Sequence, residues 1–158
     1  MGREVRRVPK DWQHPKKLDG RYQPMYDRPF GPEMDRWYAE WKSWEAGTHP
    51  DRPGHEFPYW EWDGGPPDPD YHRPDWPEES RTHLMMYEDT SEGTPISPAF
   101  ETPEELARWL ADNGASAFAD MTATYEQWLA MCKRGWAPSM ILTCNSDGTK
   151  TMQSGVAL

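Results

Sequence analysis

The stretch TPISPAFETPEELARWLADNGASAFADMTATYEQWLAMCKRG, residues 94–135, contains two helices whose starts and stops are written in the residues themselves. Thr102 is a good N-cap, Pro103 occupies the first helical position where its missing N–H costs nothing, and Glu105 completes a T-x-x-E capping box. Leu106, Trp109 and Leu110 then share one face, and Asn113-Gly114 ends the helix. The second helix opens at Thr124 with Gln127 as box partner and carries Tyr125, Trp128, Leu129 and Cys132 on one stripe. It closes with Lys133-Arg134 ahead of Gly135. Both helices build core, and neither names a chemistry.

Working outward, residues 82–89 (THLMMYED) and 94–97 read as strands, and Ser139–Cys144 reads as another. Asn145-Ser146-Asp147-Gly148 then forms a hairpin turn with residues 149–156 as its return. A third helix spans Gly31 to Gly47, with Pro32 in its first turn and Met34, Trp37, Trp41 and Trp44 along one side. That stripe either docks the helix onto the sheet or the other helices, or faces a partner, since Trp is enriched at interface hot spots. The expected fold class is α+β: a small, mainly antiparallel sheet with about three helices, plus an extended Pro/Trp-rich N-terminal half. Residues 1–30 read as an extended basic arm with a short strand near Glu4–Val8. Residues 31–158 read as a single α+β domain carrying a long acidic, Pro-rich loop at 48–80, within which Phe57 to Trp62 is a candidate edge strand.

Hydrophobic residues make up only 35% of the 158, but ten Trp, seven Tyr and four Phe bring large burial per side chain, so a packed structure is expected. The net charge of −10 is unevenly placed. Residues 1–50 hold ten Lys and Arg against eight Asp and Glu, residues 51–92 hold three against twelve, and residues 93–158 hold four against seven. Phosphate binding by the whole surface is therefore disfavoured, leaving only the basic arm (Arg3, Arg6, Arg7, Lys10, Lys16, Lys17) for direct nucleic-acid contact. No apolar run approaches the ~20 residues of a membrane helix and no signal peptide is recognisable, which points to the cytosol rather than a membrane. Cys132 on a helix stripe and Cys144 in a strand are expected to be buried free thiols.

The search for chemistry ends without a catalytic constellation: no nucleophile with a base, no paired-carboxylate cleft and no Gly-rich phosphate loop is recognisable, so no enzyme and no cofactor are expected. Five histidines (His14, His49, His55, His72, His83) lack metal-ligand spacing, and no metal is expected either. Two stretches stand out. The acidic aromatic segment offers Glu56, Phe57, Tyr59, Trp60, Glu61, Trp62, Asp63, Asp68, Asp70, Tyr71, Asp75 and Trp76 as partner contacts, with rings as anchors and carboxylates steering a basic surface. Its plainer reading is a solvated acidic loop pinned by its own aromatics. The second stretch, Glu88, Thr90, Ser91, Glu92 and Thr94, concentrates hydroxyls and carboxylates as a candidate polar ligand contact, or as a turn satisfying its own backbone.

The runs YEDTSEGTPISPAF (87–100) and TPEELARWLADNGASAF (102–118), the opening REVRRVPKDWQHP (3–15) and the Thr124–Leu129 helix resemble small uncharacterised proteins encoded by tailed bacteriophages and prophages. The match covers both ends of the chain, while the middle looks variable or inserted. The resemblance implies a phage protein acting in the bacterial cytoplasm, an accessory or counter-defence factor, and carries no activity of its own. The favoured reading beside it is a non-enzymatic protein that binds and modulates a host protein through its acidic aromatic middle. Two other readings stand beside it: an oligomeric module that sequesters a small nucleotide between Trp and Arg side chains, and a minor virion or assembly protein.

Overall fold

The computed structural model describes residues 2–89 and 93–158. The chain packs as two units, one made of Met1–Pro24 with Trp76–Leu158 and the other of Met25–Asp75. The two junctions lie after Pro24 and after Asp75.

The first unit is built on an antiparallel sheet. Strands β1 (Arg3–Val8), β4 (His83–Glu88), β5 (Thr94–Phe100) and the two-residue β6 (Trp136–Ala137) lie in the order β5-β4-β1-β6. β1, where the sequence suggests a short strand near Glu4–Val8, therefore sits inside the sheet, paired with β4 from Arg3 opposite Glu88 to Val8 opposite His83. Side chains alternate across the pleat. Met86 joins Leu106 and Leu110 of α3 (Pro103–Asp112) and Trp128 and Met131 of α4 (Tyr125–Arg134) in a core where each is 0% exposed. Val8, Met85 and Tyr87 point the other way and are covered by Trp12, Trp76 and Ala99. The sheet thus has helices on one face and irregular chain on the other.

Both expected capping boxes form: Thr102 with Glu105, and Thr124 with Gln127. Gly135 ends α4 in the left-handed region at φ 90°, its N–H bonded to the Met131 carbonyl. Between Met85 and Tyr87 the β4–β5 register shifts, and there the Ser97 hydroxyl accepts the Met86 N–H at 2.9 Å and donates to the Pro98 carbonyl at 2.8 Å. A side chain so satisfies a buried donor that the ladder has skipped. The expected hairpin forms from β7 (Met140–Cys144) and β8 (Lys150–Ser154), but as a separate two-stranded sheet. Cys132 is buried as expected. Cys144 is exposed, because a two-stranded ribbon leaves it no covering layer.

The second unit holds β2 (Tyr26–Pro29), α1 (Phe30–Glu45), α2 (Tyr59–Trp62) and the short β3 (His72–Arg73), which pairs with β2 in parallel. Its interior is nearly all aromatic: Trp37, Trp44 and Tyr59, with Met34, Trp41 and Phe57 packed around them. The Trp stripe of α1 thus docks on the chain that follows it within its own unit. The candidate edge strand at Phe57 to Trp62 is instead a single helical turn. Pro58 has no N–H to give a ladder and holds extended geometry at φ −62°, ψ 152°, which enters a helix well. The Asp63 N–H then closes the turn on the Tyr59 carbonyl at 3.0 Å.

Candidate functional site

The turn of α2 splits its rings into an anchor and a display. Tyr59 is 1% exposed, and its hydroxyl donates to Glu40 Oε2 at 2.6 Å. Trp60 and Trp62, one and three residues on, are 53% and 43% exposed. Tyr59 is therefore withdrawn from the expected contact set: the first residue of the turn faces α1, so its ring is core. Trp62 has a second attachment, stacked on Trp44 at 5.7 Å between centroids and set against His55 at 4.8 Å. Trp60 has no ring partner among the described residues within the unit. Tyr71 remains exposed, while Phe57 is half-buried and accepts the Trp44 indole N–H on its carbonyl at 2.9 Å.

The charges sort in the same way. Glu56, Glu61, Asp63, Asp68, Asp70 and Asp75 are all exposed. Asp68 also accepts the Asp70 N–H at 2.9 Å, capping a short 3-10 turn. The neighbouring cations turn inward: Arg73 pairs with Asp27 at 2.9 Å, and the Arg52 guanidinium lies 5.4 Å from the Trp44 ring centre. Across residues 25–75 there are twelve carboxylates against five Lys and Arg, so this unit carries most of the net −10. Trp76, expected on the same surface, belongs to the other unit, where it packs edge-on against Trp12 at 4.7 Å.

Of the second expected cluster, Glu88 ends β4 directly opposite Thr94 of β5. Thr90, Ser91 and Glu92 lie outside the described residues. Beside Glu88, Asp89 Oδ2 accepts the Trp136 indole N–H at 2.7 Å. Buried Arg3 ties the same end of the sheet to the loop after α3, its Nε donating to the Ser116 carbonyl at 2.8 Å and Nη2 to the Ser116 hydroxyl at 3.1 Å. Among the described residues no three His, Cys, Asp or Glu side chains are grouped so as to hold a metal ion, and no helix is long and apolar enough to cross a membrane.

Sequence reasoning missed a cleft of about 580 Å³ along the outer strand β5, reaching from the Trp12 side of the sheet to Trp109 of α3. Lys10, Trp12, Gln13, His14, Lys16 and Tyr22 line one side, and Pro95–Ala99, Met85 and Trp109 the other. Two of its lining residues, Trp12 and His14, belong to a directed hydrogen-bond chain. His14 Nε2 lies 2.6 Å from the Gln23 carbonyl, which only accepts, so Nε2 carries the proton. Neutral Nδ1 then accepts from the Tyr87 hydroxyl at 2.9 Å, and that hydroxyl accepts the Trp12 indole N–H at 3.1 Å. Burial holds the His14 imidazole below its ordinary pKa despite the Gln23 bond, and Arg6, stacked 4.3 Å over the Tyr87 ring, adds to the depression. The alternation Trp12-Gln13-His14 was the available signal: residues two apart point to the same side of extended chain.

No protein-family model matches the chain, and no curated protein or solved structure matches it significantly.

Proposed function

We propose that the chain is a non-enzymatic accessory protein, encoded by a tailed phage, that binds and modulates a protein of its bacterial host in the cytoplasm. The contact surface is the outer side of the Met25–Asp75 unit: Trp60, Trp62 and Tyr71 as anchors among Glu56, Glu61, Asp63, Asp68, Asp70 and Asp75. The observation that carries this reading is Trp60, an indole 53% exposed beside a ring of the same turn that is fully buried. Exposing one Trp forgoes about 2 kcal/mol or more of burial, which a monomer recovers only against something else. Rings of this kind supply hot-spot anchors, and the surrounding carboxylates steer and orient a basic partner. A nucleic-acid-handling protein presents such a basic face, and a counter-defence role fits the phage resemblance.

The test is affinity capture from a lysate of the host bacterium with the full chain and with a W60A/W62A variant. A stoichiometric partner that is released as salt rises, and is lost with the double variant, is the expected outcome. Recovery of no stoichiometric partner, or equal capture by both proteins, overturns the proposal.

A further inference from the structure

The cleft along β5 is lined, among the described residues, by residues of the sheet-bearing unit alone, whereas that surface belongs to the other unit. Among the described residues no carboxylate lines the cleft, whereas Lys10 and Lys16 do, both exposed at their positions. Trp12, Tyr22 and Trp109 add large aromatic rings to the lining. Trp12 is not free to swing, since its N–H is committed to Tyr87 and its ring is braced edge-on by Trp76 at 4.7 Å and His14 at 5.9 Å. Tyr22 stands edge-on to the same imidazole at 5.6 Å, with the Lys16 ammonium 5.0 Å from its ring centre. Walls fixed in advance reduce the ordering that a ligand must bring about.

The edge of the sheet narrows the class of ligand. β5 is an outer strand and would template an added peptide strand, but Pro95 and Pro98 carry no N–H and break its row of donors. A strand-like peptide is disfavoured there, and a compact ligand is not. The volume falls within the range of small-molecule sites. Aromatic walls favour a flat π-system, and two ammonium groups suit a phosphate monoester, which carries close to two negative charges at neutral pH. We infer that this cleft binds a planar aromatic phosphate of mononucleotide size, with its ring among Trp12, Tyr22 and Trp109, its phosphate at Lys10 and Lys16, and the Gln13 amide available to the ring edge.

Ligand-observed NMR and calorimetry on the full chain test this with adenosine and uridine, their 5′-monophosphates and inorganic phosphate, against wild type and a K10A/K16A variant. Both lysines are exposed, so the variant keeps its fold, which circular dichroism verifies. At least one monophosphate should bind saturably, with its nucleoside, phosphate alone and the variant each weaker by about tenfold or more, the loss of a charged contact. Absence of saturable binding by either monophosphate at millimolar concentration overturns the inference. So does equal binding by the nucleoside, or by the lysine variant. None of these outcomes bears on the acidic surface, whose test uses residues of the other unit.

Discussion

The Tyr59 hydroxyl donates to Glu40 at 2.6 Å, joining the turn of α2 to the middle of α1 through a carboxylate that also holds Arg36 at 3.1 Å. This bond is the foremost reason why the Glu40 carboxyl titrates below its ordinary range, with Arg36 adding to it; burial first, and then Glu40, push the Tyr59 phenol up. In Y59F the ring stays and the bond goes. The Glu40 carboxyl should titrate higher in a carbon-13 NMR pH series, and urea denaturation should show a loss of about 1 kcal/mol. An unchanged Glu40 titration would refute the pairing.

Within that unit, two indoles of the same residue type should behave oppositely. Trp44 is 1% exposed and touches His49, Phe57, Tyr59 and Trp62, so W44A should cost about 3–5 kcal/mol. Trp60 faces solvent, so W60A should stay within about 0.5 kcal/mol of wild type. Denaturant midpoints of the two variants measure the difference directly.

The neutral His14 makes stability depend on pH. Its folded pKa lies below the unfolded value because burial, and then the Arg6 cation, oppose protonation; Tyr87, Trp12, Tyr22 and Gln23 supply only neutral groups around it. A depressed histidine pKa means that the unfolded chain binds the extra proton. The contribution is therefore complete above about pH 6.5 and is lost as pH falls below that value toward the folded pKa. Denaturation at a series of pH values from about 7.5 down to 5.5 should show wild type losing more stability on acidification than H14Q.

The two thiols should separate cleanly. Burial pushes the Cys132 thiol up to about 12, while Cys144 lies exposed on β7. Iodoacetamide on the native protein at mildly alkaline pH should alkylate one cysteine, which peptide mass spectrometry should place at position 144. Modification of Cys132 at a comparable rate would show that α4 opens readily.

What the sequence disclosed is what neighbours along the chain decide. T-x-x-E and T-x-x-Q with their apolar stripes named α3 and α4 and both capping boxes, because a cap is settled within four residues. The four-residue spacing of Trp37 and Trp41 likewise announced α1. Hidden from that reading was everything decided by distant chain. Phe57 to Trp62 looks like a strand by composition, yet Tyr59–Trp62 closes as a helical turn whose Tyr59 packs on α1 and bonds Glu40. β1 looked like part of an arm because its partners, β4 and β6, stand about 80 and 130 residues away. At the candidate surface the acids were legible as outward, being charged, whereas the sorting of Tyr59 from Trp60 required the helical turn. The cleft was invisible because its two sides come from residues 10–22 and 85–109.

The chain leaves the sheet-bearing unit after Pro24 and re-enters it at Trp76, where that indole is clamped against Trp12. The aromatic unit is thus a parenthesis in the sentence of the sheet: its interior residues supply none of the four paired strands and neither capping box. A lineage could rewrite all that stands between the two brackets and leave the grammar of the surrounding strands and capped helices unchanged.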